Sequence, residues 1–256
     1  MSELIHCEVR DGVQTVEIRR PEKKNALTEA MYRALAEAFE RAESEPAVRV
    51  IFIRGQPGVF TAGNDIGDFL ANPPATEKDP VSLFLRNIIH ASKPMVAAVT
   101  GAAVGIGTTM LLHCDYVVAG EGAAFSVPFV NLGLCPEAGS SLMLPFAIGY
   151  KRAAEMLLFG ERIDAAKALD WGLVNQVVPD DRAIETGLAR ARALAAKPAQ
   201  ALWVTKSLMK RRLAPLAAQA MLEEGHEFHR LLQSPAAREA LSAFAEKRAP
   251  NTALFT

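Results

Sequence analysis

Short runs of β-branched and apolar residues recur along the chain at 13–18, 48–53, 95–99, 116–119 and 174–178, and each is separated from the next by a stretch of helical character. These runs are apolar at nearly every position rather than at every second one. That pattern predicts strands covered on both faces, and their alternation with helices predicts an α/β fold with a single main core. Residues 28–43 set Met31, Leu35, Ala38 and Phe39 on one helical face behind Thr28 as N-cap. Residues 107–113, 140–148 and 184–195 read as further helices. From residue 197 the strand signals stop and Ala, Leu, Arg and Glu dominate. This divides the chain into a body at 1–196 and a helical C-terminal region at 197–256, expected to leave the body and pack on a neighbouring subunit. Residues 71–80 concentrate prolines and polar side chains, the signature of a surface loop able to cover a ligand.

Bulk properties exclude several classes of function. A net charge of −1, with Lys and Arg spread through the sequence, gives no footprint for a polyanion, so nucleic acid is not an expected partner. The three cysteines, Cys7, Cys114 and Cys135, are odd in number and never form a CxxC pair, which argues against a disulfide framework or a zinc site and for a reducing compartment. The first residues carry Glu3 and Glu8 without a basic and then apolar leader, and no uninterrupted run of about 18 apolar residues occurs. A cytoplasmic protein without a membrane span is the expectation. The terminal Leu254-Phe255-Thr256 is also unlike a peroxisomal address.

Three segments could carry chemistry. Gly101-Ala-Ala-Val-Gly105-Ile106-Gly107 follows a predicted strand and opens a helix, so the first helical amides would lack intrahelical partners and point outward. Such a turn can bind an anion, or can need glycine for packing alone; a dinucleotide fingerprint fits less well because Thr109 and Met110 stand where its third glycine belongs. In Phe60-Thr-Ala-Gly63-Asn64-Asp65-Ile66, the Gly63-Asn64 turn can leave an amide free to donate, or Asn64 can cap a short helix beginning at Asp65. Glu137, after Pro136 and before a helix, is either a simple favourable charge at a helix start or an acid pressed against Leu132, Leu134, Met143 and Leu144. Burial would raise its pKa and the helix terminus would lower it, a contest that sequence leaves open. His226 and His229 lie three apart, but Gly225 weakens the helix and no third ligand is evident, so no metal is expected.

Taken in order, Phe60 to Ile66, Gly101 to Gly107, Cys114-Asp115 and Phe125 to Glu137 resemble the crotonase (enoyl-CoA hydratase/isomerase) superfamily over nearly the whole chain. The resemblance implies ββα units wound into a spiral, a helical C-terminal trimerisation region, a homotrimer or homohexamer, and an acyl-CoA substrate whose coenzyme A is part of the reactant rather than a cofactor. It places an oxyanion hole on the backbone N–H groups of Asn64 and Ile106. It also places coenzyme A binding on the Arg20 to Ala26 loop, with Lys24 and Ala26, and on Ala62, Gly63, Asp65 and Ile66. The two glutamates by which hydrating members activate water are replaced here by Thr109 and Phe129. With Glu137 as the remaining acid, the sequence resembles the Δ3,Δ2-enoyl-CoA isomerase branch, where one glutamate at this position moves a proton between C2 and C4. Other enolate chemistry on a CoA ester, hydration, ring opening, or catalytically silent acyl-CoA binding are the alternatives.

Overall fold

The computed structural model describes residues 3–73 and 76–255. Nine strands run as β1 (Ile5–Arg10), β2 (Val13–Ile18), β3 (Val50–Arg54), β4 (Met95–Val99), β5 (Ala102–Val104), β6 (Tyr116–Gly120), β7 (Ala124–Ser126), β8 (Ile163–Asp164) and β9 (Gln176–Val178). The helices of the body are α1 (Glu29–Ser44), α2 (Ile66–Ala71), α3 (Pro80–His90), α4 (Ile106–Thr109), α5 (Ser140–Ile148), α6 (Tyr150–Phe159), α7 (Ala165–Trp171) and α8 (Asp180–Ala195). Three more close the chain: α9 (Ala199–Lys210), α10 (Leu213–Leu232) and α11 (Pro235–Glu246). The predicted apolar runs are strands within a residue or two. The predicted helix at 107–113 is divided into α4 and a 3-10 turn at Met110–His113, and α8 begins four residues earlier than its predicted start at 184.

The main sheet has six strands in the order β1-β2-β3-β4-β6-β9, parallel except for the β1–β2 hairpin. Its central strands explain their own composition. Ile51, Ile53, Ala97 and Val99 face the large core beneath α1 and α3, whereas Val50, Phe52, Val96 and Ala98 face Ala191 and Ala195 of α8. Each successive side chain therefore meets an apolar layer, which is why the runs show no alternation. A second, three-stranded sheet, β5-β7-β8, lies beyond the ends of β4 and β6. Strand, turn, short strand and helix thus repeat as β4-β5-α4 and β6-β7, giving an α/β spiral of ββα units.

The C-terminal region is helical as expected, but its path differs from the expectation that it leaves the body. α10 packs on α5 and α3, α11 packs on α2, and Phe228, Leu232, Ala237 and Leu241 join the main core. α9 is pinned by buried Lys206, whose ammonium lies 2.7 Å from the Asp115 carboxylate and 2.7 Å from the Lys93 carbonyl oxygen. Met221, Phe228 and Leu232 lie along one stripe of α10 and pack against the main core. Of the loop expected at 71–80, Pro74 and Ala75 lie outside the described residues; Ala71 closes α2 and Pro80 opens α3. Among the described residues no helix is long and apolar enough to cross a membrane.

One buried polar residue fastens the loop after β2 to the loop after β3. Asn25 is fully buried in a left-handed conformation (φ 55°), donates from Nδ2 to the Phe60 carbonyl at 2.9 Å, and accepts the Arg20 amide at 2.6 Å. Asn25→Ala leaves both partners unsatisfied and keeps the strained φ, so it is expected to lower stability by about 2–3 kcal/mol, read as a reduced urea midpoint at unchanged m-value.

Candidate active site

The two suspected amide donors occupy equivalent places on adjacent turns of the spiral. Thr61 forms a parallel bridge with Ala103, and Ala103 pairs in parallel with Phe125. Three residues beyond Thr61 stands Asn64, and three beyond Ala103 stands Ile106; the same step from Phe125 reaches Pro128, which has no N–H. Leu27 donates to the Gly63 carbonyl and accepts from the Asp65 amide, both at 2.8 Å. In a parallel pairing this turns the intervening Asn64 N–H to the opposite side. Ile106 opens α4, whose first internal bonds come from Thr108 and Thr109 to the Gly105 carbonyl, both at 2.9 Å. Among the described residues, neither the Asn64 nor the Ile106 N–H has a hydrogen-bond acceptor.

Glycine makes this approach possible at two points. Gly105 has φ 55° and ψ −119°, a combination closed to side-chain-bearing residues, and so turns the Ile106 amide outward. Gly63, at φ 87°, rests against the Val104 carbonyl so closely that a Cβ would sit 2.9 Å from that oxygen. Asn64 and Ile106 line one cavity of about 360 Å³ with Ala62, Gly63, Ile66 and Phe129. The alternative of Asn64 as a helix cap is excluded: Asp65 caps α2, accepting the Asp68 amide at 3.1 Å. Instead the Asn64 Oδ1 accepts the hydroxyl of buried Tyr32.

The expected coenzyme A residues divide into two groups. Ala62, Gly63 and Ile66 line the cavity of the donors. Lys24, Ala26 and Asp65 do not, but they lie directly behind it: the Ala62 amide donates to the Lys24 carbonyl at 2.9 Å, and Arg20 bridges the Ala26 carbonyl and the Asp65 carboxylate at 2.8 Å each. The Asp65 side chain is taken by Arg20 and the α2 cap, which fixes the loop behind the cavity. Lys24 is exposed at the loop edge.

Glu137 is 8% exposed, and its Oε1 is buried without a hydrogen-bond partner. Ala138 and Gly139 are both left-handed (φ 63° and 70°), which swings the start of α5 away from the acid. His113, buried on the turn after α4, holds the Ala138 carbonyl from Nε2 at 2.7 Å. The α5 terminus does not serve Glu137, because Glu224 from α10 accepts the Gly139 amide at 2.6 Å and the Ser141 amide at 2.7 Å. The contest left open by the sequence is thereby decided. Burial, reinforced by the charge of Glu224, pushes the Glu137 carboxyl up to about 8.

Glu137 lines a larger cavity of about 590 Å³ between α3 and α10, with Val81, Leu85, Met221 and Phe228. Glu137 and the two unpaired amides therefore face two adjoining cavities, with Phe69 and Phe228 lining both. Those rings meet edge to face at 6.0 Å between centroids. Thr109 and Phe129 are buried where the hydrating residues were expected, and the Thr109 hydroxyl has no partner. Tyr32, Phe69, Glu224 and Phe228 are site residues that the sequence reading missed; only the three-dimensional return of α1 and α10 brings them in. Among the described residues no cluster of His, Cys, Asp or Glu is placed to hold a metal, so His226 and His229 gain no third ligand.

A buried acid with a raised pKa makes folding weaker as pH rises. The Glu137 contribution is fully present below its ordinary value of 4.5 and is lost as pH climbs through about 8, because the folded state alone resists the ionisation. Glu137→Gln is therefore expected to raise the melting temperature above pH 8 and leave it nearly unchanged at pH 4.5. The comparison isolates Glu137 from His113, whose pKa burial lowers to about 4.

The sequence profile of the enoyl-CoA hydratase/isomerase family matches residues 8–253. A "1,2-epoxyphenylacetyl-CoA isomerase" of Escherichia coli is 34% identical, covering 98% of each chain, and a "probable enoyl-CoA hydratase" of Rhodobacter capsulatus is 37% identical over 96% of each. The solved structure of Pseudomonas aeruginosa OdaA superposes with a TM-score of 0.92 at 45% identity, covering 95% of this chain and 99% of that one. Names among these relatives divide between hydratase and isomerase. The chain belongs to the enoyl-CoA hydratase/isomerase family, the crotonase superfamily, whose members work on coenzyme A thioesters.

Proposed function

We propose that the protein shifts the double bond of a 3-enoyl-CoA to the 2-position, with Glu137 as its acid/base. The observation that carries this reading is the buried carboxyl of Glu137 beside apolar walls, with its Oε1 unbonded. As carboxylate it takes the C2 proton of the substrate, and the electron pair moves into the thioester carbonyl. The oxygen that gains charge lies between the Asn64 and Ile106 N–H groups. Each such donor is worth about 2.7–4 kcal/mol because it meets charge that develops in the reaction. The dienolate then recovers the same proton at C4, and one carboxyl serves both carbons because they lie on one face of a short conjugated system. Neither position from which hydrating members present a carboxylate carries one here: Thr109 cannot serve as a base and Phe129 fills the other position. Asn64, Ile106, Ala62, Gly63 and Ile66 would hold the thioester and its nucleotide, with Lys24 reaching phosphate from the loop edge. Exposed Phe146, Tyr150, Phe159, Leu208 and Met209 offer the apolar surface that a homotrimer or homohexamer buries.

Hydration is the second reading, favoured by the name of the Rhodobacter relative, and ring opening is suggested by that of the Escherichia coli one. The test mixes the protein with 3-enoyl-CoA and follows ultraviolet absorbance of the conjugated 2-enoyl thioester, with hydration of 2-enoyl-CoA as the parallel assay. Absorbance growth in the first supports isomerisation; no growth there with rapid loss in the second overturns it. Glu137→Gln is expected to lower kcat by about 10²- to 10⁴-fold while leaving acyl-CoA affinity nearly intact. In the unaltered enzyme kcat/KM is expected to rise with pH through a midpoint near 8 and to level off above it, as the carboxylate form fills.

A further inference from the structure

We infer that Glu224 is a positioning residue that keeps Glu137 a strong base by occupying the α5 terminus and setting a second carboxylate beside it. The inference rests on the proposed role of Glu137. An acid just before a helix would ordinarily draw on the free amides and positive end of that helix and become a weaker base. Here that possibility is removed by a residue from a helix some eighty positions later in the chain. Both Glu224 oxygens are engaged, with the Gly139 amide at 2.6 Å and the Ser141 amide at 2.7 Å, and its side chain is 6% exposed. Ser140 spends its own amide on the Glu137 carbonyl, at 3.1 Å, and its hydroxyl on the same oxygen, at 2.6 Å. Nothing donated by α5 is left for the Glu137 carboxyl, in keeping with its unbonded Oε1.

The other charged and titratable groups around Glu137 do not replace this effect. Tyr32 on α1 is held neutral by burial and by the Glu137 charge, and His113 is a neutral donor to the Ala138 carbonyl. Cys135 has a thiol pushed up to about 11 by burial and by Glu224. Arg86 on α3, His226 and His229 on α10, and Glu77 line the wider part of the same cavity and are exposed to solvent. Solvent screens those four more strongly than it screens the buried Glu224.

Two independent readings test this. The ionisation of Glu137 is followed by carboxyl ¹³C NMR, with Glu137→Gln used to assign the signal, and kcat/KM is followed against pH. Glu224→Gln is expected to move the Glu137 midpoint and the acid limb of the profile down by about one unit, with a lower plateau rate. Loss of thermal stability with both midpoints unmoved would make Glu224 a mere helix cap and overturn the inference. If Glu224→Gln fails to fold, Glu224→Asp decides, since it keeps the charge but cannot span both amides. A modest fall of the Glu137 midpoint is then expected, because one α5 amide is released while the charge is kept, and an unmoved midpoint would overturn the inference. Should the NMR midpoint shift as expected while the rate ignores it, Glu137 is not the base: the proposed function fails and the control of Glu137 by Glu224 stands.

Discussion

The parallel register of Thr61, Ala103 and Phe125 on successive turns governs the arrangement of the whole site. It is an interaction of backbones, reinforced by the Thr61 hydroxyl, which accepts the Gly63 amide at 3.1 Å. Once Thr61 and Ala103 are paired, Asn64 and Ile106 are carried into adjacent places by the same number of residues. The contact of Gly63 with the Val104 carbonyl then fixes how close the two turns come. The next turn repeats the geometry but ends in Pro128, so the ladder supplies a pair of donors and no third.

The acid obeys a different logic. Glu137 is held where ionisation is unfavourable, ahead of two left-handed residues and beside another carboxylate, and the fold loses stability for it at neutral and higher pH. Groups that would relieve it are engaged elsewhere: the α5 amides by Glu224 and the His113 ring by a carbonyl. A carboxyl kept near neutrality in this way suits proton transfer to and from carbon better than one stabilised as an anion. Site chemistry and fold stability pull in opposite directions at this residue.

Much of this was legible in the sequence. The apolar runs that became β2, β3, β4, β6 and β9 announced strands with two covered faces, and β4 with its two core layers bears that out. The turns at Gly63 and Gly105 announced free amides because positive φ and a helix start are local properties. Short pieces such as β5, β7 and β8, with two or three residues each, lack a period long enough to read. Glu224 and Phe228 sit on an ordinary amphipathic helix, and which of its faces meets the site depends on how α10 folds back. The direction of the Glu137 shift was illegible for the same reason, since it turns on which distant residue claims the α5 amides.

The path of α10 and α11 also bears on when a working enzyme can exist. Phe228 stands between the two cavities, while Leu241 and Phe244 wall the smaller one, so the compartments are enclosed by residues that leave the ribosome well after the last strand, β9. A nascent chain that has built its whole sheet still holds a cleft open to solvent.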